Sequence, residues 1–385
     1  MREWRGVGLV GGWQVSASVC FYAVFATTAF LRAEFGLSRF RTGLAVTAVI
    51  AGYTAALFVA GAVVDADGER RPMIGGLVLM GLGCLGVAVA PTYPLVLAAL
   101  VFVGVAYATA MPATNRAVLV VAPEGRRNLA MNVKQVGVTA GSGLSAGLIT
   151  VAGARTDWTD GFLVAAGVAV AVAAVFAWGY DGRDGSGVLS PPDVRGLLSG
   201  SGYRGLLVAG FFLGAAVFTT TGYVVLHMTD AVAASAAVAG GALAAVQVTG
   251  SLGRLGGGAL ADRLSIPQTT ANARVLFVQA VVSVAGFVAV TLVGAPLPAA
   301  ATFAVLGFFV LGFPGMYYGC LTALVDDEEV GAATAGGQTA INLGGLLAPP
   351  AFGLLADAGG YALGWYGLAG CAALAAVALV PLVRG

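Results

Sequence analysis

Apolar residues in this chain run in long blocks, not at the period of an amphipathic helix or a half-buried strand. Proline, glycine and charge break them into twelve stretches, about 8–31, 42–64, 73–90, 94–121, 129–152, 161–180, 204–228, 233–258, 273–294, 298–325, 331–356 and 362–383. A helix needs about 20 apolar residues to cross the hydrocarbon of a bilayer, so each stretch predicts one membrane-spanning helix. The first, Gly6–Phe30, is too long for the apolar core of a signal peptide and is expected to remain in the mature protein. The longest polar stretch, Tyr180–Tyr203, follows the sixth block. The pattern therefore predicts an all-α membrane protein with an N-terminal six-helix bundle (1–180), a central loop (181–203) and a C-terminal six-helix bundle (204–385).

Composition supports lipid as the solvent. Of the 385 residues, 59% are hydrophobic and 10% charged, against roughly a quarter charged in soluble chains. A net charge of +1 gives no electrostatic basis for binding nucleic acid. Cys20, Cys84, Cys320 and Cys371 all sit in apolar runs without CxxC spacing, so neither a metal site nor a disulfide framework is expected. With the N-terminus inside, twelve arginines from Arg2 to Arg384 fall on the cytoplasmic side, and Arg32, Arg39, Arg41 and Arg155 on the other. That bias places both termini in the cytoplasm of a cell whose plasma membrane the chain spans. Glycine is abundant, at 59 residues, and in a bilayer small residues let helices approach closely. Gly137-x3-Gly141, Gly143-x3-Gly147 and Gly253-x3-Gly257 are candidate packing faces.

The second stretch ends Gly61-Ala-Val-Val-Asp65-Ala-Asp-Gly68-Glu69-Arg70-Arg71, and the eighth ends Gly258-Ala-Leu-Ala-Asp262-Arg263. The same device thus stands at the same place in each half, as internal repeats in transporters do. Glycine would let a helix end approach its neighbour. The aspartate would meet the unpaired N–H groups and positive dipole of a facing helix N-terminus. This resembles the loop motif of the major facilitator superfamily, Gly-x3-Asp-basic-x-Gly-basic-basic, with Ala66 and Glu69 in place of two basic residues. The resemblance implies two six-helix bundles that give a central site access to one side of the membrane at a time. Gly61, Asp65, Arg70, Arg71, Gly258, Asp262 and Arg263 would then act in gating. Asp65 is expected near the start of the eleventh span at Gly331 and Asp262 near Asn128, and the acidic run Asp326–Glu329 is a candidate partner for Arg70 or Arg71.

The carboxylates all fall in loops or at helix ends, whereas Arg116, Lys134 and Arg254 lie within spans. Ionisable groups in a bilayer are costly and mark functional sites. Arg254 stands about 12 Å from the end of its helix, and its planar fork suits a carboxylate or similar oxyanion. Lys134, the only lysine, snorkels or faces a polar lumen with its neighbour Gln135; Arg116 acts at the site or at the inner gate. His227, the only histidine, is a candidate proton carrier or an interfacial residue. Tyr22, Tyr223, Tyr317, Tyr318, Gln338 and Asn342 are candidates for hydrogen bonds to substrate.

Gly11-Gly12-Trp13 with Phe35-Gly36-Leu37-Ser38-Arg39, and Gly253-Arg254-x3-Gly258, are similar to segments of monocarboxylate and oxalate/formate transporters. That similarity implies an anion-contacting role for Arg254. Lys134-Gln135-Val-Gly137 resembles a pattern in cyanate-permease-like members. The expectation is a monomeric secondary transporter, symporter or antiporter, of a small anion. The alternative is an exporter of neutral or lipophilic molecules whose basic residues are structural. No enzyme motif, Walker A sequence or cofactor signature is present, so an ion or substrate gradient would drive the cycle.

Overall fold

In a computed structural model, described for residues 4–124, 127–182, 185, 198, 200–325 and 330–384, the described residues are helical and contain no strand. Among the described residues there are fourteen helices: α1 (Arg5–Phe35), α2 (Arg39–Asp67), α3 (Arg70–Ala88), α4 (Tyr93–Tyr107), α5 (Ala110–Val121), α6 (Arg127–Arg155), α7 (Trp158–Gly179), α8 (Ser201–Asp230), α9 (Ala236–Arg263), α10 (Gln268–Val290), α11 (Pro296–Val310), α12 (Pro314–Ala323), α13 (Val330–Gly359) and α14 (Tyr361–Arg384). Twelve stretches among these residues are long and apolar enough to cross a membrane. Fourteen helices make twelve spans because α4 and α5 share one, Tyr93–Val118, and α11 and α12 share another, Pro296–Ala323. The acidic run Asp326–Glu329 and the side chains of Asn128 and Gly331 lie outside the described residues.

Proline explains both interruptions. Pro112 and Pro314 have no N–H to offer the carbonyl four residues earlier, and the ring crowds it. The first helix therefore stops at Tyr107 and restarts at Ala110, and the second stops at Val310 and restarts at Pro314. Each break leaves helix-end carbonyls that need a donor, because lipid supplies none.

The chain forms two compact units: Met1–Phe30 with Ala48–Pro191, and Leu31–Thr47 with Pro192–Gly385. In the first, a Cβ on Gly137 would stand 3.0 Å from the Gly11 carbonyl, and one on Gly141 would overlap the Val15 carbonyl, so α6 lies backbone to backbone against α1. Trp13, fully buried, donates its indole N–H to the Met73 carbonyl of α3 at 2.9 Å. In the second unit α8 and α13 meet at Gly214 and Gly344, and α9 meets α11 at Gly253. Gly143 and Gly147 face open space, so of the three small-residue faces only those at Gly137 and Gly253 seat a neighbouring helix. Gly61 also faces open space, and Gly258 approaches only the Met316 side chain, at 3.8 Å.

Residues 31–47, the tip of α1 and the start of α2, belong to the second unit. Gly36 takes the left-handed conformation (φ +58) and ends α1, and the Leu37 N–H closes on the Arg32 carbonyl at 3.1 Å. Asp357 of α13 then accepts from the backbone N–H groups of Arg39 and Phe40, 3.0 Å each, at the open N-terminus of α2. Arg39 returns a bond to the Ala356 carbonyl at 3.0 Å and stacks over the Tyr361 ring. Asp230 pairs with Arg32 and accepts from the Tyr361 hydroxyl.

Candidate functional site

Polar side chains inside the spans gather in three places. The first lies where α2 passes into α3. Glu69 is fully buried, with one carboxylate oxygen 2.9 Å from Arg116 Nε and the other 2.9 Å from the Tyr180 hydroxyl. Asp65 adds a looser contact to Arg116, at 3.9 Å. Arg70 turns to the end of α7 and donates to the carbonyls of Tyr180 (2.8 Å) and Ala177 (2.6 Å). One of the two residues that depart from the superfamily's loop motif, Glu69, thus becomes the buried hub. It draws in the arginine of α5, and Arg70 staples α3 to α7. Arg71, Asp262 and Arg263 are exposed at helix ends. Arg116, a candidate for the substrate, is here held by two carboxylates.

The second place is where α5 meets α6. Lys134 is fully buried, and its ammonium position lies 2.9 Å from Asn115 Oδ1 and 3.6 Å from Met111 Sδ. One residue from Asn115, Thr114 donates to Gln14 Oε1 at 3.2 Å, and Gln14 donates on to Ser18. Helices α1, α5 and α6 thus share a polar seam of neutral partners around one lysine. Gln135 follows on α6, half-buried, and Tyr22 lies among aromatic rings of α1, with Phe21 and Phe25.

The third place is in the second unit, at the break between α11 and α12. Arg254 Nε donates to the Leu311 carbonyl at 2.9 Å, so the arginine answers one of the carbonyls left by the break before Pro314. The Tyr318 hydroxyl, within electrostatic reach of Arg254, donates to Gln338 Oε1. Gln338 passes its amide N–H to Asn342 Oδ1 at 2.8 Å, one turn along α13. Asn342 is fully buried, and its Nδ2 has no hydrogen-bond partner among the described residues. Tyr317, also buried, donates to the Gly337 carbonyl at 3.3 Å. Tyr223 belongs elsewhere: its hydroxyl bonds the Arg39 carbonyl at 2.6 Å. His227 Nδ1 accepts from the Trp365 indole at 3.0 Å, amid Phe303 and Tyr361.

Sequence reasoning missed Asn115, Met111 and Glu69 as partners, and the hold of Asp357 on α2. For Asn115 the signal was a polar residue one position before an in-span arginine. For Glu69 it was the departure from the motif itself. Nothing along the chain links Asp357 to Arg39, 318 residues away.

Among the described residues, twelve spans, a repeated break in the fourth and tenth, and polar clusters inside the spans define a multi-pass membrane protein. The chain belongs to the Major Facilitator Superfamily, which its sequence matches over residues 12–316. The protein named "Putative metabolite transport protein YwtG", of Bacillus subtilis (strain 168), is 28% identical over 116 residues, which make up 30% of this chain and 25% of that protein. Among solved structures, a bacterial homologue of the human lysosomal transporter Spinster, inward-facing and occupied, superposes with a TM-score of 0.82 at 14% identity, covering 98% of this chain and 96% of that one. The same homologue, inward-facing and unoccupied, gives 0.74 over 98% and 95%. At that identity the likeness is one of fold. Among the described residues, no group of three His, Cys, Asp or Glu side chains is placed to hold a metal ion.

Proposed function

We propose that this transporter moves a small anion, a monocarboxylate or similar oxyanion, and that the second unit supplies the contacts. The observation that carries this reading is the row Arg254–Tyr318–Gln338–Asn342, which ends in an amide N–H buried without a partner. A buried orphan donor costs about 1–3 kcal/mol; a substrate oxygen removes that cost. Arg254 spends its Nε on the Leu311 carbonyl, which holds the guanidinium plane in place. Every group in the row is a donor, a cation or a neutral acceptor already engaged, a chemistry that suits an anion. Arg116 has no part in the site, because Glu69 and Asp65 answer its charge. Alternating access of one central site, a monomeric state and a cytoplasmic-membrane location with both termini inside complete the reading. A metabolite carrier of this kind accords with the name of the Bacillus relative.

The test is uptake by the purified protein in liposomes. Lactate, formate and oxalate are compared with a neutral sugar and with tetraphenylphosphonium. Arg254→Gln removes charge-assisted bonds of about 1.5–3 kcal/mol and lowers anion uptake roughly 10- to 100-fold. Arg254→Lys, which keeps the charge and loses the fork, weakens carboxylates more than a spherical anion. Asn342→Asp sets a like charge before the anion and abolishes its uptake. Normal anion uptake by Arg254→Gln, or transport of the lipophilic cation in preference to all three anions, refutes the proposal.

A further inference from the structure

Of the two in-span cations of the first unit, Arg116 and Lys134, Lys134 is the one with no carboxylate partner among the described residues. Three cationic side chains lie inside spans, and each is met differently. Arg116 has Glu69 and Asp65. Arg254 has a carbonyl oxygen and the polar row. Lys134 is fully buried, and its partners among the described residues are one amide oxygen and one thioether. An ammonium brings three N–H donors and a full charge. Here it finds two acceptors, one of them weak, and no counter-charge. A neutral amine brings two N–H donors and a lone pair, and those two donors match Asn115 Oδ1 and Met111 Sδ. The pocket is therefore built for the amine, and a proton arriving there has no charge to settle against.

Among the described residues, the surroundings offer it none. On α5, the next residue after Asn115 is Arg116, whose charge is taken up by Glu69 and Asp65. Helix α1 turns Gln14 and Ser18 toward α6, both neutral, and carries its charged residues at its ends. Helix α7 carries a single charged residue, Asp160, in its first turn. That turn packs by Ile149, fifteen residues along α6 from Lys134 and so about 22 Å away. An unpaired charge buried in protein costs several kcal/mol, and the cost vanishes whenever the proton leaves.

We propose that Lys134 is the proton-carrying residue of this transporter and couples its cycle to a transmembrane proton gradient. On the side where protons are abundant, the Lys134 amine takes one from water through its lone pair and becomes the ammonium. On the other side it returns that proton to water and again becomes the amine that the Asn115–Met111 pocket accommodates. One proton moves per turn: an N–H bond forms as an O–H bond of hydronium breaks, the reverse occurs on release, and a monoanion carried with the proton crosses without net charge. The inference concerns the coupling ion and stands apart from the substrate reading above.

Lys134 is the only lysine in the chain, so protein grown on [ε-13C]lysine and held in nanodiscs gives one lysine Cε resonance. The expected result is a resonance that moves between its ammonium and amine positions across the pH range in which the protein transports. A resonance fixed at the ammonium position throughout that range overturns the proposal. Asn115→Asp supplies the missing counter-charge beside Nζ without touching the lysine. In that variant the resonance is expected to stay at the ammonium position, and proton entry into liposomes, read by trapped pyranine under an imposed pH gradient with lactate, formate or oxalate outside, falls at least about tenfold. Unchanged proton entry in Asn115→Asp refutes the proposal even if the wild-type lysine titrates. A titrating lysine in a protein that takes up none of the anions refutes the anion reading and leaves this one standing; anion uptake with a fixed ammonium does the reverse.

Discussion

Replacing Glu69 by glutamine tests whether the departure from the superfamily motif holds the first unit together. The carboxylate is fully buried and accepts from Arg116 Nε and from the Tyr180 hydroxyl, 2.9 Å each. Glutamine keeps the shape and one oxygen. Its Oε1 must face Arg116, since a guanidinium cannot accept, and its amide N–H then meets Tyr180, whose hydroxyl rotates to receive it. Both bonds survive as geometry and lose the charge. The Tyr180 bond passes from a charged to a neutral partner and loses about 1 kcal/mol, and the Arg116 bond keeps its cation but loses the ion pair, about 1–2 kcal/mol for a partly exposed guanidinium, so the two together lose roughly 2–3 kcal/mol. Asp65 trims that figure little, because it stands 3.9 Å from Arg116 and is itself 65% exposed. The assay is thermal melting in detergent with a thiol-reactive dye, for which buried Cys20 and Cys84 in the same unit serve as reporters. Glu69→Gln is expected to lower the midpoint by several degrees, and Glu69→Ala by more. Glu69→Gln combined with Arg116→Gln is expected to cost less than the sum of the two, because the second change removes the charge left stranded by the first. A Glu69→Gln protein that melts with the wild type, or two costs that simply add, would refute the argument.

Other expectations follow from the helix ends. Asp357→Asn weakens the two bonds to the N-terminus of α2; a loss of about 1.4 kcal/mol raises hydrogen exchange at the Arg39 and Phe40 amides roughly tenfold, and unchanged exchange there would show that Asp357 does not hold the hairpin. Asp157, the N-cap of α7, has its carboxyl held below the usual carboxylate range by the hydroxyl and then the backbone N–H of Thr159. Its contribution is thus present above that range and lost as pH falls through it. Because Asp157 is almost wholly exposed, Asp157→Ala should cost about 1 kcal/mol or less, seen as a lower melting midpoint at neutral pH and none under acid conditions. The arginine distribution predicts that labels at Gly182 and Pro296 report opposite sides of the membrane; both on one side would overturn the topology.

The architecture was legible because lipid imposes it. Twelve apolar runs, each about the length of a bilayer span, admit one arrangement per run, and twelve spans are found. The two broken spans carried their own marks in Pro112 and Pro314, yet both read as continuous on hydropathy alone, because a break inside a bundle changes no apolar residue to a polar one. The gathering of Tyr318, Gln338 and Asn342 was half legible. Residues 338 and 342 are one helical turn apart, so they share a face, whereas their meeting with Tyr318 depends on how α12 packs on α13. What hydropathy could not reach was pairing across the fold. Glu69 read as a lost basic residue in a loop, but it is buried, because the turn into α3 points it at Arg116 and Tyr180.

The three in-span cations divide by how completely the fold answers them, and that division assigns their work. A cation with a buried carboxylate has its charge balanced at every stage of a cycle, so Arg116 stiffens and does not respond. A cation anchored to a backbone carbonyl keeps its charge and a fixed plane; in the anion reading proposed above, Arg254 is thereby preset for an incoming oxyanion and the amide of Asn342 extends the same offer. A cation with neutral partners alone has its free energy altered most by gaining or losing a proton, so Lys134 responds to one. The order can be tested as a series, since Asn115→Asp converts the third kind into the first. If the difference among the three rests on the counter-charge and not on position along the span, that one substitution should turn a proton-exchanging lysine into a structural ion pair, raising the melting midpoint while lowering turnover. A variant that gains neither stability nor inertness would show that the residues around a buried cation do not set its role.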